Sequence, residues 1–385
     1  MSTTRAGLAR FVLDNSLLLL AGTGAAIVWA NLNFQSYDRV AHPLHFVVND
    51  VGMVFFIALA AKEVFEATLP GGALASPRRA LSPLAAAVGG MVMPALIYLG
   101  FTWARGPADL ARGWAIPCAT DIAFSAMVAR IVFPAGHPAI PLLLLLAIAD
   151  DALGLIILAV SYPSGALSFS ALAVLMTIAI LLALFLRRRH VQSFWPYVAG
   201  PGVLSWAALY TGGFHPALAL VPIVPFMPHS RRDLGVFDER EEHQPDTLNR
   251  FEHWWATPVQ VVLLLFGFAN AGVPFTEIGP GTYYVVAGLL VGKPVGILAF
   301  AAMARVAGGH VPPGLRVSDL LVVGLVAAIG FTVSLFFATA ALPTGAALAE
   351  TKMGALLSFV AAPIAVVASR LLRVRASWQP EAEKM

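Results

Sequence analysis

Asp150 and Asp151 stand side by side in the middle of PLLLLLAIADDALGLIILAVSY, Pro141–Tyr162, an apolar run of membrane-spanning length. About 20 apolar residues cross a bilayer. A charge at the bilayer centre costs at least roughly 2.5–3.5 kcal/mol on insertion scales, so an ionisable residue there reads first as part of an ion or proton pathway. The plainer reading, a buried ion pair that only ties helices together, is the alternative. Carboxylate oxygens are hard ligands and suit a hard metal cation such as Na⁺, with Asp150 and Asp151 as the ligating pair. A proton and a cation then compete for the same oxygens. Competition at a site open to one side at a time is sufficient for exchange.

Three further features supply parts for such a site. Thr120-Asp121 lies in IPCATDIAFS, where Pro117 precedes a short stretch at which the helix can open. Lys293 is followed by proline in LLVGKPVGI, inside an apolar span; the charge is costly there and the proline loosens the local helix. Ala328-Ile329-Gly330-Phe331-Thr332 is a small, polar interruption of another span. Each has a bland explanation, since Gly, Pro and Thr all occur in ordinary membrane helices. Together they describe a cation site near the membrane midplane. Irregular backbone is tolerated there when it lines a cavity or packs on protein, and Asp121 and Lys293 can neutralise the exposed helix ends.

These residues need long apolar helices to hold them, and the composition provides for that. Of the 385 residues, 59% are hydrophobic and 12% charged, against about 25% charged in soluble domains. This is an all-α integral membrane protein with no sizeable soluble domain, and the net charge of +3 need not mean nucleic acid. The single cysteine, Cys118, leaves no intrachain disulfide and no Cys-rich metal site. No cleavable signal is expected after Met1–Arg10.

Hydropathy predicts twelve spans: about Phe11–Ala30, Phe46–Leu69, Leu81–Trp103, Trp114–Phe133, the Asp150-Asp151 run, Leu167–Leu186, Phe194–Tyr210, Gly212–Met227, Trp254–Phe275, Tyr283–Val306, Val317–Leu342 and Met353–Leu372. In this scheme one side of the membrane holds only Arg39, Arg105, Arg112 and Lys352. Nearly all other Lys and Arg lie on the side of the termini, which the positive-inside rule places in the cytoplasm. The longest connection, Pro228–His253, carries both charge signs. It reads as a solvated loop or, more sharply, as a titrating cluster containing His229, His243 and His253.

The runs WAIPCATDIAF, LAIADDALG, FGFANAGV, GLLVGKPVGI and VVGLVAAIGFTVSLF, in that order, resemble the NhaA family of sodium/proton antiporters over nearly the whole chain. The resemblance implies one membrane domain over residues 1–385. Its core is an inverted repeat, about 81–162 and 283–372, with two unwound, crossing helices, and the remaining helices form a scaffold. It implies no enzyme activity and no cofactor. The function implied is electrogenic, pH-regulated exchange of Na⁺ or Li⁺ for H⁺ in the bacterial inner membrane, in contact with lipid and compatible with a homodimer. Asp151 would be the principal carboxylate, and Asp150 would pair with Lys293. Thr120 and Asp121 would sit beside them, with Gly330 and Thr332 in the unwound helix. Asp50, Glu66, His215, Glu252 and His253 fall where the family has pathway or pH-response residues.

Three departures stand out. Lys62 in ALAAKEVFEATL falls where the family has a glutamate, GFHPALAL puts Pro216 after His215, and the connection Asn31–Leu44 is short. Other functions that two buried aspartates allow are a sodium-coupled organic-anion transporter of the same fold, a passive channel and an intramembrane aspartyl protease. The protease reading lacks the GxGD sequence, and a nearby lysine would disturb the proton its two aspartates share.

Overall fold

The computed structural model describes residues 17–72, 74–75, 77–165, 167–229, 246–308 and 314–374, and every regular element among them is helical. In chain order the helices are α1 (Leu17–Leu32), α2 (Phe34–Ala41), α3 (Met53–Thr68), α4 (Pro77–Arg105), α5 (Ile122–Val132), α6 (Ala139–Ser161), α7 (Phe169–Arg188) and α8 (Val203–Gly212). They continue with α9 (Thr247–Asn270), α10 (Pro280–Ala287), α11 (Lys293–Val306), α12 (Val317–Ala327), α13 (Phe331–Ala341), α14 (Ala346–Leu357) and α15 (Ala361–Leu371). Among the described residues five helical stretches are long and apolar enough to cross a membrane. Three more qualify as pairs bent at a short break: Phe34–Ala41 with Phe46–Thr68, Ala108–Cys118 with Ile122–Val132, and Val317–Ala327 with Phe331–Ala341. The last two pairs are each bent by 51°.

The chain divides into two compact units, Met1–Ser76 with Leu155–Gly272, and Pro77–Gly154 with Val273–Met385. In the first, α1 packs along α9 and α7 along α8. A reciprocal pair of side-chain amides joins Asn49 and Asn270, with Nδ2–Oδ1 distances of 3.1 and 2.9 Å. In the second, α11 packs along α4 and α12, α10 and α13 pack on α14, and α5 and α12 meet α15.

Two backbones of the second unit approach closely. A Cβ on Gly296 would lie 2.0 Å from the Gly89 carbonyl oxygen, and one on Gly89 would lie 2.3 Å from that of Gly296. Small residues let membrane helices touch in this way. A Gly296→Ala substitution is expected to force α4 and α11 apart and destabilise the fold by about 1–3 kcal/mol, as overpacking does. Gly100→Ala on the same α4, where a Cβ meets nothing within 4 Å, should be neutral or slightly stabilising. Thermal melting of the two variants in detergent checks the contrast; equal midpoints would refute it.

Two differences from the sequence expectations have plain causes. The eighth span, Gly212–Met227, forms no regular α-helix beyond Gly212. It passes as turns, with 3₁₀ pieces at Pro216–Leu218 and Val224–Phe226. Pro216, Pro222 and Pro225 each remove a backbone donor that a continuous helix needs. The ninth span starts earlier, at Thr247, because the Asp246 carboxylate accepts from Asn249 N at 2.8 Å and caps it. His253 therefore sits on α9 rather than in a loop. His243 of the long connection lies outside the described residues.

Candidate functional site

The centre of the second unit is built by two interruptions that meet. Between the 3₁₀ turn Ile116–Cys118 and α5 the chain is open at Ala119-Thr120-Asp121, and between α12 and α13 it is open at Ala328-Ile329-Gly330. Open backbone inside a membrane protein must find partners, and each break supplies the other's. Asp121 N donates to Ile329 O at 2.7 Å. Gly330 passes so close that a Cβ there would stand 2.9 Å from the Ala119 carbonyl oxygen, which is a physical reason for glycine at that place.

Asp121 serves two helix starts at once. Its Oδ1 accepts from Phe124 N in the first turn of α5 at 3.3 Å. Its Oδ2 accepts from Thr332 N at 3.1 Å, in the first turn of α13, and also from the Thr332 hydroxyl. A carboxylate beside exposed N–H groups neutralises the positive end of a helix, and here one carboxylate does so for both.

Lys293 and Asp150 form the other half of the site. Lys293 is 0% exposed and Asp150 4% exposed, and Nζ stands 2.9 Å from Oδ2. The ammonium also donates to the Cys118 carbonyl, at the end of the 3₁₀ turn that precedes the first break. A cation on an exposed C-terminal carbonyl is the counterpart of Asp121 at the N-termini. A wider π turn at Gly288–Gly292 leads into Lys293-Pro294. A proline lacks the helical donor and crowds the carbonyl four residues back, and such a turn accommodates it. The Thr120 hydroxyl lies 2.7 Å from Asp150 Oδ2 and 3.1 Å from Ala327 O. Asp150 Oδ1 is buried and makes no hydrogen bond. Asp151 is next on α6 and less buried than Asp150.

The structure thus brings Thr120, Asp121, Asp150, Lys293, Gly330 and Thr332 into one buried cluster, with Asp151 beside it. Among the described residues no group of three or more His, Cys, Asp or Glu is placed to hold a metal ion. The donors on hand for a cation are the paired carboxylates with hydroxyl and carbonyl oxygens.

The remaining candidates lie in the first unit. Lys62 is buried, its Nζ 2.6 Å from Glu66 Oε2 and 2.5 Å from Glu252 Oε2. The lysine that departs from the family pattern is therefore neutralised by two of the predicted acidic residues. Asp50 lies in the π turn Phe46–Gly52, and its carbonyl accepts from Trp206 Nε1 at 2.8 Å. His215 Nδ1 accepts from Ala217 N at 3.3 Å and caps the 3₁₀ turn that Pro216 begins. His253 is exposed.

Residues the motifs did not single out also serve the second unit. Ser125 and Ser334 each bond across to the opposite broken span. His137, in the connection between α5 and α6, accepts from Ala139 N through Nδ1 at 3.2 Å and stacks on Phe133. Burial pushes its imidazole below its usual pKa, while the Asp319 charge pulls the other way. The unfolded chain then binds more protons near pH 6.5, so this histidine's contribution to stability is complete above about pH 6.5 and is lost as the pH falls. His137→Asn keeps a capping acceptor without the titration. Its melting temperature should fall less than that of the unaltered protein between about pH 7 and pH 5.5; equal falls would refute the assignment.

A family model described as Na⁺/H⁺ antiporter 1 matches residues 12–370. The chain is 46% identical over 375 residues to the Na⁺/H⁺ antiporter NhaA of Desulfitobacterium hafniense, covering 95% of this chain and 96% of that one. It is 44% identical over 368 residues to the protein of the same name from Geobacter metallireducens, covering 94% and 96%. Among solved structures it is similar to the sodium proton antiporter MjNhaP1 from Methanocaldococcus jannaschii. The TM-score is 0.55 at 15% identity, over 92% of this chain and 91% of that chain. At that identity the likeness is one of fold.

Proposed function

The chain belongs to the Na⁺/H⁺ antiporter 1 family, and from that premise we propose where and how it exchanges Na⁺ for protons across the membrane. The exchange takes place on Asp150 and Asp151. Asp151 is the principal carboxylate: it loses its proton, takes the cation and is protonated again on the other side. Asp150 alternates between Lys293 and a proton or cation. Thr120, Asp121 and Thr332 shape the oxygens around them, and Gly330 lets the two breaks meet.

The observation that carries this reading is the division of labour at Asp150. Its Oδ2 is held by Lys293 and Thr120, while Oδ1 is buried without a hydrogen-bond partner one residue from Asp151. A buried carboxylate oxygen without a partner is costly, and a proton or a cation relieves it. Two carboxylates and a lysine can together carry more than one proton against one Na⁺, so the exchange is electrogenic. Li⁺, smaller and harder still, is accepted as well. Lys62 with Glu66 and Glu252, together with Asp50, His215 and His253, forms the pH-responsive pathway. The Lys and Arg distribution supports both termini in the cytoplasm, and the family supports the inner membrane of a bacterial cell.

The experiment is transport in proteoliposomes carrying an imposed pH gradient, followed with a fluorescent dye. NaCl and LiCl should dissipate the gradient and KCl should not. Clamping the membrane potential with K⁺ and valinomycin should change the Na⁺-driven rate. A rate indifferent to the clamp would overturn electrogenicity, and no response to Na⁺ or Li⁺ at any pH would overturn the assignment to Asp150 and Asp151.

A further inference from the structure

Each broken span leaves carbonyls at the end of its first half that its own helix cannot fully satisfy. The Cys118 carbonyl is taken by Lys293. Two others, Ile116 O and Val326 O, are taken by serines of the opposite span. Ser125 Oγ donates to Val326 O at 3.0 Å, and Ser334 Oγ donates to Ile116 O at 2.8 Å.

The two bonds share a pattern. Ser125 follows Asp121 by four residues and Ser334 follows Gly330 by four, and Asp121 and Gly330 are the last residues of the two breaks. Each serine's own N–H bonds to the carbonyl of that break residue, Ser125 N to Asp121 O at 2.9 Å and Ser334 N to Gly330 O at 2.8 Å. A serine within an apolar helix commonly turns its hydroxyl back to the carbonyl four residues earlier in its own helix. Here both hydroxyls reach across instead. Both side chains are buried, so each bond is out of competition with water; without it Ile116 O loses its serine donor, and Val326 O is left with the Ile329 N–H at 3.2 Å.

We propose that Ser125 and Ser334 are a matched pair of positioning residues for the exchange reaction, each clasping the end of the opposite half-helix. This inference rests on the exchange reading above. The Val326 carbonyl is adjacent to Ala327, whose carbonyl is 3.1 Å from the Thr120 hydroxyl, which in turn is 2.7 Å from Asp150. Ile116 stands at the other end of the turn whose Cys118 carbonyl Lys293 holds. Releasing either clasp lets a half-helix end shift and moves the oxygens that choose between Na⁺ and a proton. The serine hydroxyls bond backbone carbonyls rather than Asp150, so the maximal rate is spared.

The test measures the Na⁺ concentration for half-maximal exchange, and the maximal rate, in proteoliposomes for Ser125→Ala, Ser125→Cys, Ser334→Ala and the double alanine variant. Each alanine variant should raise the half-saturating Na⁺ by several-fold to about tenfold, the effect of one lost buried hydrogen bond, with the maximal rate little changed. The cysteine variant, keeping a weak donor, should fall between. The double variant should exceed the single ones by less than the product of their effects, because both clasps hold the same two spans. Unchanged half-saturation in a folded alanine variant overturns the proposal. So does a loss of maximal rate in proportion to lost folded protein, which is what a merely structural role gives. If Ser125→Ala does not fold, the cysteine variant decides by the same criterion. Failure of the unaltered protein to move protons with Na⁺ would instead refute the exchange reading, and the two failures are told apart by that control.

Discussion

An Asp151→Asn variant is expected to lose Na⁺-driven proton movement, by roughly the 10²–10⁴-fold that removal of a proton-transferring group costs. The amide matches the carboxylate in size but carries no charge and has no proton to give up in the working pH range. Position on α6 separates this residue from its neighbour. Successive residues of an α-helix point about 100° apart, and it is Asp150 that Lys293 and Thr120 hold. It is also the less buried of the two, the one a hydrated ion reaches with less desolvation. The variant should fold normally, since the amide keeps the volume of the carboxylate and one of its acceptor oxygens. Near-normal exchange with it would remove Asp151 from the mechanism.

The second large effect is on stability. Lys293→Ala strips the counter-charge from a carboxylate that is 4% exposed and leaves the Cys118 carbonyl without its ammonium donor. Breaking a buried pair from one side costs about 3–5 kcal/mol because the remaining charge is stranded. The melting temperature in detergent should drop markedly, and the pH dependence of exchange should shift as Asp150 takes up a proton in compensation. Adding Asp150→Asn to Lys293→Ala removes the stranded charge and should recover much of the loss. An unchanged melting temperature in the single variant would mean that the pair is not holding the fold.

The cluster around these residues was legible in the sequence to the extent that its cost was. Two carboxylates in an apolar run, a lysine before a proline in mid-span and small polar interruptions in two other spans all violate the composition of a plain membrane helix. Each violation marked a residue that the structure places at the centre of the second unit. Ser125 and Ser334 violate nothing. Serine is at ease in a membrane helix when it bonds its own backbone, and only the meeting of two breaks about 200 residues apart, a separation no short motif spans, turns its hydroxyl elsewhere. One partner of Lys62 was hidden in the same way, since Glu252 comes from a helix 190 positions further along. The turns after Gly212 were misread because hydropathy counts apolar side chains and takes no account of the donors lost at Pro216, Pro222 and Pro225.

Asp121 carries a last consequence. Because a single carboxylate meets the starts of both α5 and α13, one oxygen to each, a turn of its side chain alters the partner sets of both. The two interruptions therefore behave as one joint with a shared pin. A motion that swings the pin reaches both spans at once, and a span that moves away from it alone leaves one buried carboxylate oxygen without its donors.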